Sequence, residues 1–226
     1  MRKLNDLRLH EKAMLLIIKD QEGTIGVSMW QYALGGAILA ELFLEERLQT
    51  AGKKKEDVTV ANPKHLGDPL LDECLDLVKD SAKTRSSQHW VSKFAGIKDL
   101  HGRVASGLAR RGILRADEDK VLLFFTRKIY PELDPRPERE LVELLEQAIF
   151  GDAEDLDPHT AVLVGLGHKT GLLNATFPPK RLKTRKDRMD AIAQGEFAGA
   201  AAGKALASAQ AAIFVSCIIV PTIITN

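Results

Sequence analysis

Lys98, His101 and Arg103 fall close together in the stretch Ile97 to Leu114, where Ile97, Leu100, Val104 and Leu108 recur at three- and four-residue steps. At about 100° per residue those steps make one buried helical stripe, and the three cations border it. Lysine, arginine and protonated histidine offer donors and no acceptor, so such a cluster suits an anion. A little further on, Val121, Leu122, Leu123, Phe124 and Phe125 form an apolar run bounded by charge. Gly112 between them marks a helix stop, and the pattern then changes to that of a short strand within a hairpin. A cationic helix edge beside an apolar tip suits a membrane surface, and the tip would serve equally as a contact between two copies of the chain. The plainer reading of the cations is the polar border of an amphipathic helix.

Other chemistry is poorly served. There is no G-x-S-x-G, and the histidines at 10, 65, 89, 101, 159 and 168 show neither H-E-x-x-H nor clustered ligand spacing. Gly165 to Gly171 contains Lys169-Thr170, but a phosphate-binding loop needs glycine where His168 and Leu163 stand. Cys74 and Cys217 lie alone in apolar patterns, as buried small side chains in a reducing compartment do. The expectation is a protein that is not an enzyme and has no metal, cofactor or catalytic residue. A second basic run, Lys180, Arg181, Lys183, Arg185, Lys186 and Arg188, reads either as a solvated helix start or as an anion-facing patch.

The elements that must position these residues are nearly all helical. Leu7 to Lys19 reads as an amphipathic helix with Ala13, Leu15, Leu16 and Ile17 inside, and Trp30 to Leu48 as a long apolar one. Lys53 to Gly67 looks like a loop with a short extended piece at Val58 to Val60. Asp68-Pro69 and Asp134-Pro135 are start signals, a capping carboxylate before a proline that gives up no needed N–H. Helices are expected over Gln88 to Phe94, Glu138 to Phe150, Pro158 to Leu173 and Arg185 to Ile192. The class is all-α, a single mainly helical domain over 1–226 with a β-hairpin inserted between helices near residues 113–130.

With 226 residues, Lys+Arg 32 against Asp+Glu 31 and a net charge of +1, the chain is long enough for one core and too evenly charged to coat nucleic acid. No secretory signal core precedes the first helical pattern, which points to the cytoplasm. Residues 205–226 carry no charge. Their alanines and polar residues favour a buried helix over a membrane anchor.

Several strings, in order, resemble the Golgi phosphoprotein 3 family of peripheral membrane proteins. They are Leu9 to Gly23, Ala40 to Leu48, Gly67 to Leu75, Trp90, and Gly102 to Leu114 running into Leu122 to Phe124. The resemblance implies recognition of phosphatidylinositol 4-phosphate on cytosolic membranes and, in eukaryotic members, retention of Golgi enzymes through their tails. It implies a headgroup pocket of one aromatic residue, one second-helix arginine and two cations from the helix before the hairpin. In this chain Trp30 is the nearest aromatic, Gly35 stands at the second-helix arginine, Lys98 and His101 at the pair, and Arg103 on a nearby arginine. The expected site is therefore Trp30, Lys98, His101 and Arg103, with Val121, Leu122, Leu123, Phe124 and Phe125 for insertion or oligomerisation. Since an imidazole is half charged near pH 6.5, adhesion through His101 is expected to tighten from pH 7.5 to 6.

The expected partners are an acidic phospholipid surface, a second copy through the hairpin, and cytosolic tails of membrane proteins, but not nucleic acid. Two alternatives remain open: a protein-interaction scaffold without lipid binding, and a winged-helix-like nucleic-acid binder, since helix, stop and hairpin also resemble its reading half.

Overall fold

The computed structural model describes residues 4–19, 22–51, 57–121, 125–197, 207 and 209. Nine α-helices among them surround a core to which every helix contributes, with three small antiparallel sheets at the margins. The mainly helical class with a hairpin between helices is as expected.

Helix α1 (Leu9–Ile17) lies at the centre, packed against α2 (Trp30–Leu44), α5 (Leu100–Arg110), α6 (Arg136–Phe150) and α7 (Pro158–Thr170). It is buried on all sides, including His10, Glu11 and Lys12, where the sequence pattern suggested one buried face. Its polar side is covered because other helices bring opposite charges to it: Glu41 of α2 accepts from Leu9 N at 2.9 Å and from Arg8 Nη1 at 3.1 Å. After α1 the chain forms β1 (Ile18–Lys19), which pairs with β2 (Thr24–Ile25).

Helix α2 stops at Leu44, short of the expected Leu48, with Glu46 at φ 54° just beyond. Leu48 is drawn away because β3 (Leu48–Ala51) pairs with β4 (Asp57–Val60), and Leu48 and Val58 bury their side chains under that sheet. The short strand β5 (Arg85–Ser86) completes it and leads into α4 (Ser87–Ala95). Helix α3 (Pro69–Lys79) starts as its signal foretold, with Asp68 Oδ1 accepting from Leu70 N and Leu71 N at 2.9 Å each. The second such signal is shifted: Pro135 is the residue flanking α6, and Asp134 holds Arg136 instead.

Helix α5 ends at Gly112 with φ 72°, and β6 (Asp117–Val121) and β7 (Phe125–Ile129) follow as the hairpin. The register sets Glu118 opposite Lys128 and Asp119 opposite Arg127. The apolar run read as one strand is therefore divided: Val121 and Phe125 are opposed across the last rung, and Leu122, Leu123 and Phe124 lie outside the described residues. The chain closes through α7, a 3-10 turn at Leu172–Ala175, α8 (Pro179–Lys183) and α9 (Lys186–Gln194). The expected final helix lies outside the described residues except for residues 207 and 209, both helical.

Candidate functional site

Trp30 opens α2, and its ring meets His101 on α5 edge-on, with centroids 5.8 Å apart and planes at 70°. On its other side His101 meets Tyr130, at 5.4 Å and 71°. Such edge contacts are worth about 0.5–1.5 kcal/mol each beyond the area buried. Tyr130 is buried at the foot of β7, its N–H donating to Gly23 O at 2.9 Å and its hydroxyl 3.3 Å from Ser106 Oγ. Three distant parts of the chain, the start of α2, the first turn of α5 and the hairpin foot, thus meet at one imidazole.

That imidazole is half-buried, and its Nε2 is shielded from solvent without a hydrogen-bond partner among the described residues. Burial holds its pKa below the ordinary histidine value, with Asp99 acting in the opposite sense. The expectation of half-charging near pH 6.5 is thereby moved downward, since burial disfavours the imidazolium. Lys98, three residues earlier, is exposed.

Arg103 is placed elsewhere. Two residues along a helix is a rotation of about 200°, and Arg103 lies on the far side of α5 with Nη2 2.6 Å from Glu73 Oε2 of α3. There it lines a cleft of about 350 Å³ between α5, α1 and the start of α3, together with His10, Asp68, Ser106 and Arg110. His10 Nε2 lies 3.5 Å from Asp68 Oδ2 at that cleft. Contact with His10, ahead of the backbone donors Leu71 and Leu70, outweighs the opposing effect of burial and holds the Asp68 carboxyl down at about 2. The four expected residues therefore divide: Trp30 and His101 are brought together, Lys98 stands exposed three residues before His101, and Arg103 faces a separate cleft.

Gly35 is where helices α2 and α4 touch. A Cβ there would stand 2.6 Å from Val91 O and 3.0 Å from Ala95 N, so no arginine fits without parting the helices. Tyr130 was not singled out from the sequence, though an aromatic residue ending the second hairpin strand was a usable signal. The remaining arginines near α5 are engaged: Arg111 Nη1 lies 2.6 Å from Glu11 Oε2 and its Nη2 donates to Asp6 O at 2.8 Å, while Arg115 Nη2 lies 3.1 Å from Asp117 Oδ2. Among the described residues no group of three histidine, cysteine or acidic side chains is placed to hold a metal, and no helix is long and apolar enough to cross a membrane.

A model of the Golgi phosphoprotein 3 (GPP34) family matches residues 9–209. Vacuolar protein sorting-associated protein 74 of Eremothecium gossypii is 30% identical over 139 residues, a match covering 52% of this chain and 42% of that protein's length.

Proposed function

The chain belongs to the Golgi phosphoprotein 3 family, and on that footing we propose that it is a non-enzymatic peripheral membrane protein that binds acidic phospholipid headgroups of the phosphatidylinositol 4-phosphate kind. The observation that carries the reading is the contact between Trp30 and His101. It sets an aromatic ring beside a cation-forming side chain on the helix that leads into the hairpin, as a headgroup site asks. Lys98 adds a permanent charge, and each cation near an anionic surface contributes about 1 kcal/mol. Two apolar side chains of the hairpin tip would add about 1.5–3 kcal/mol each if buried in lipid. The sum supports reversible docking on the cytosolic face of a membrane. Contact between copies through the hairpin and capture of membrane-protein tails fit the same orientation. Nucleic-acid reading is disfavoured because Arg103, Arg111 and Arg115 are held by carboxylates.

The test is co-sedimentation with vesicles of neutral lipid, neutral lipid with a general anionic lipid, and neutral lipid with phosphatidylinositol 4-phosphate at matched charge. Preference for the phosphoinositide, lost in Lys98→Glu with His101→Gln at an unchanged helical spectrum, is the expected result. Binding undiminished in that double variant refutes the reading.

A further inference from the structure

Five of the six cations of the second basic run are sorted by chemistry. Each arginine is tied to the end of α6 or the residues just after it. Arg181 Nη2 lies 2.7 Å from Glu146 Oε1, with its guanidinium 3.9 Å from the Phe150 ring centroid. Arg185 Nη2 donates to Phe150 O at 2.7 Å, and Arg188 donates through Nε to Ala148 O at 2.8 Å and through Nη2 to Ala153 O at 2.6 Å. The last carbonyls of a helix lack partners within it, and a planar fork of donors suits them. Arginine here is structural.

Lys183 and Lys186 turn instead to a cavity of about 240 Å³ between α7, α8 and α9, rimmed also by His168 and Asn174 and floored by Leu182 and Met189. No carboxylate lines it. The nearby acid, Asp190, is held by Lys169 Nζ at 2.7 Å and His168 Nε2 at 3.2 Å. Neither Lys183 nor Lys186 has a carboxylate of the described residues within ion-pair distance. Two ammonium groups and a neutral amide therefore stand around an apolar floor, and the one acid near enough to act on Lys186, Asp190, is already bound by Lys169 and His168.

We propose that this cavity is a second binding site, for a phosphomonoester group carried on a small body that rests on Leu182 and Met189. A phosphomonoester carries about −1.5 to −2 charge at neutral pH and three acceptor oxygens, which matches two lysines and the Asn174 amide better than a carboxylate would. Lysine serves phosphate as a point charge. The volume lies below the roughly 300 Å³ at which drug-sized sites begin, so the body is the size of a glycerol or a sugar, not a nucleotide. The same group is found on free phosphorylated metabolites and on phosphatidic acid in a bilayer. The site shares no residue with the Trp30–His101 contact, and the proposal stands without the lipid reading above.

The test titrates the full chain at low salt with glycerol 3-phosphate, and separately floats it on phosphatidylcholine vesicles containing phosphatidic acid. The vesicle arm uses the Lys98→Glu/His101→Gln background, which removes the first site. At least one probe is expected to bind. Binding should weaken tenfold or more in Lys183→Gln/Lys186→Gln and in Asn174→Asp, at unchanged thermal midpoints, and stay within threefold of wild type in Lys183→Arg/Lys186→Arg. Binding of glycerol 3-phosphate alone assigns the site to a free phosphoester, and binding of the vesicles alone assigns it to a lipid headgroup. The proposal is overturned if neither probe binds, if Lys183→Gln/Lys186→Gln binds as wild type does, or if glycerol without phosphate competes equally.

Discussion

Lys12 Nζ lies 3.0 Å from His159 Nδ1, which fixes where the imidazole proton sits. An ammonium group only donates, so Nδ1 must accept and the ring carries its proton on Nε2, which lies 3.7 Å from Glu41 Oε2. Protonating His159 would set a cation against Lys12.

Acid sensitivity follows from that pair. Burial, ahead of the opposing pull of Glu41, holds the His159 pKa below its ordinary value, and burial does the same for His101 and His168. Each depressed histidine leaves the unfolded chain binding more protons than the folded one below about pH 6.5, so stability falls as pH drops through that value. Above about pH 7 these groups cost nothing. Urea midpoints at pH 7.5 and 5.5 should show the loss, with a slope of at most about 1.4 kcal/mol per pH unit for each histidine. His159→Gln should remove its share of that slope and leave those of His101 and His168.

Gly35→Ala and Gly36→Ala should separate two kinds of crowding. A Cβ at Gly35 meets the α4 backbone at 2.6 Å, whereas one at Gly36 meets the Leu166 Cδ1 methyl at 2.7 Å. A side-chain tip can turn aside and a helix backbone cannot. Overpacking typically costs about 1–3 kcal/mol. Gly35→Ala should lie at the upper end and Gly36→Ala near the lower, as measured by denaturant unfolding. Gly35→Arg, with far more to place than a methyl, should fail to fold.

Asp68→Ala should cost more than a helix cap alone. Losing a capping carboxylate costs about 0.5–2 kcal/mol, and here the change also strips His10, 2% exposed, of its partner. With its pKa near 2, the Asp68 contribution is present above about pH 3.8 and is lost as pH falls toward 2. A thermal scan of Asp68→Ala and Asp68→Asn at pH 7 should find alanine the less stable of the two.

Headgroup binding should take up a proton. Half-burial of the His101 ring disfavours its protonated form in the free protein. A phosphate brought beside it raises its pKa, so binding draws in up to one proton and tightens as pH falls below about 7. Calorimetry with phosphatidylinositol 4-phosphate vesicles in buffers of different ionisation enthalpy would measure the uptake, which His101→Asn should abolish. Equal proton counts in the two proteins would remove His101 from the site.

Local signals in the chain were legible where the physics is local. Asp68 before Pro69 caps α3, Gly112 ends α5 at positive φ, and the helices fall close to their periodic stretches. What escaped were pairings across the chain. Glu73 claims Arg103 from thirty residues away, and Glu41 and His159 approach the polar side of α1 and turn an apparently amphipathic helix into a buried one. Leu48 leaves α2 because Val60 offers it a ladder partner. Helical periodicity reports which side of a helix is apolar, but not which distant residue will cover the other side.

The arginine ties between α9 and the carbonyls around the end of α6 join a group that is always charged to groups that never titrate. Across the range in which His159 begins to charge, that seam keeps its strength while the one between α1 and α7 weakens. Mild acid and heat would therefore open the molecule at different places. Under acid the first loosening is central, around α1, with the seam between α6 and α9 still fastened; heat carries no such bias.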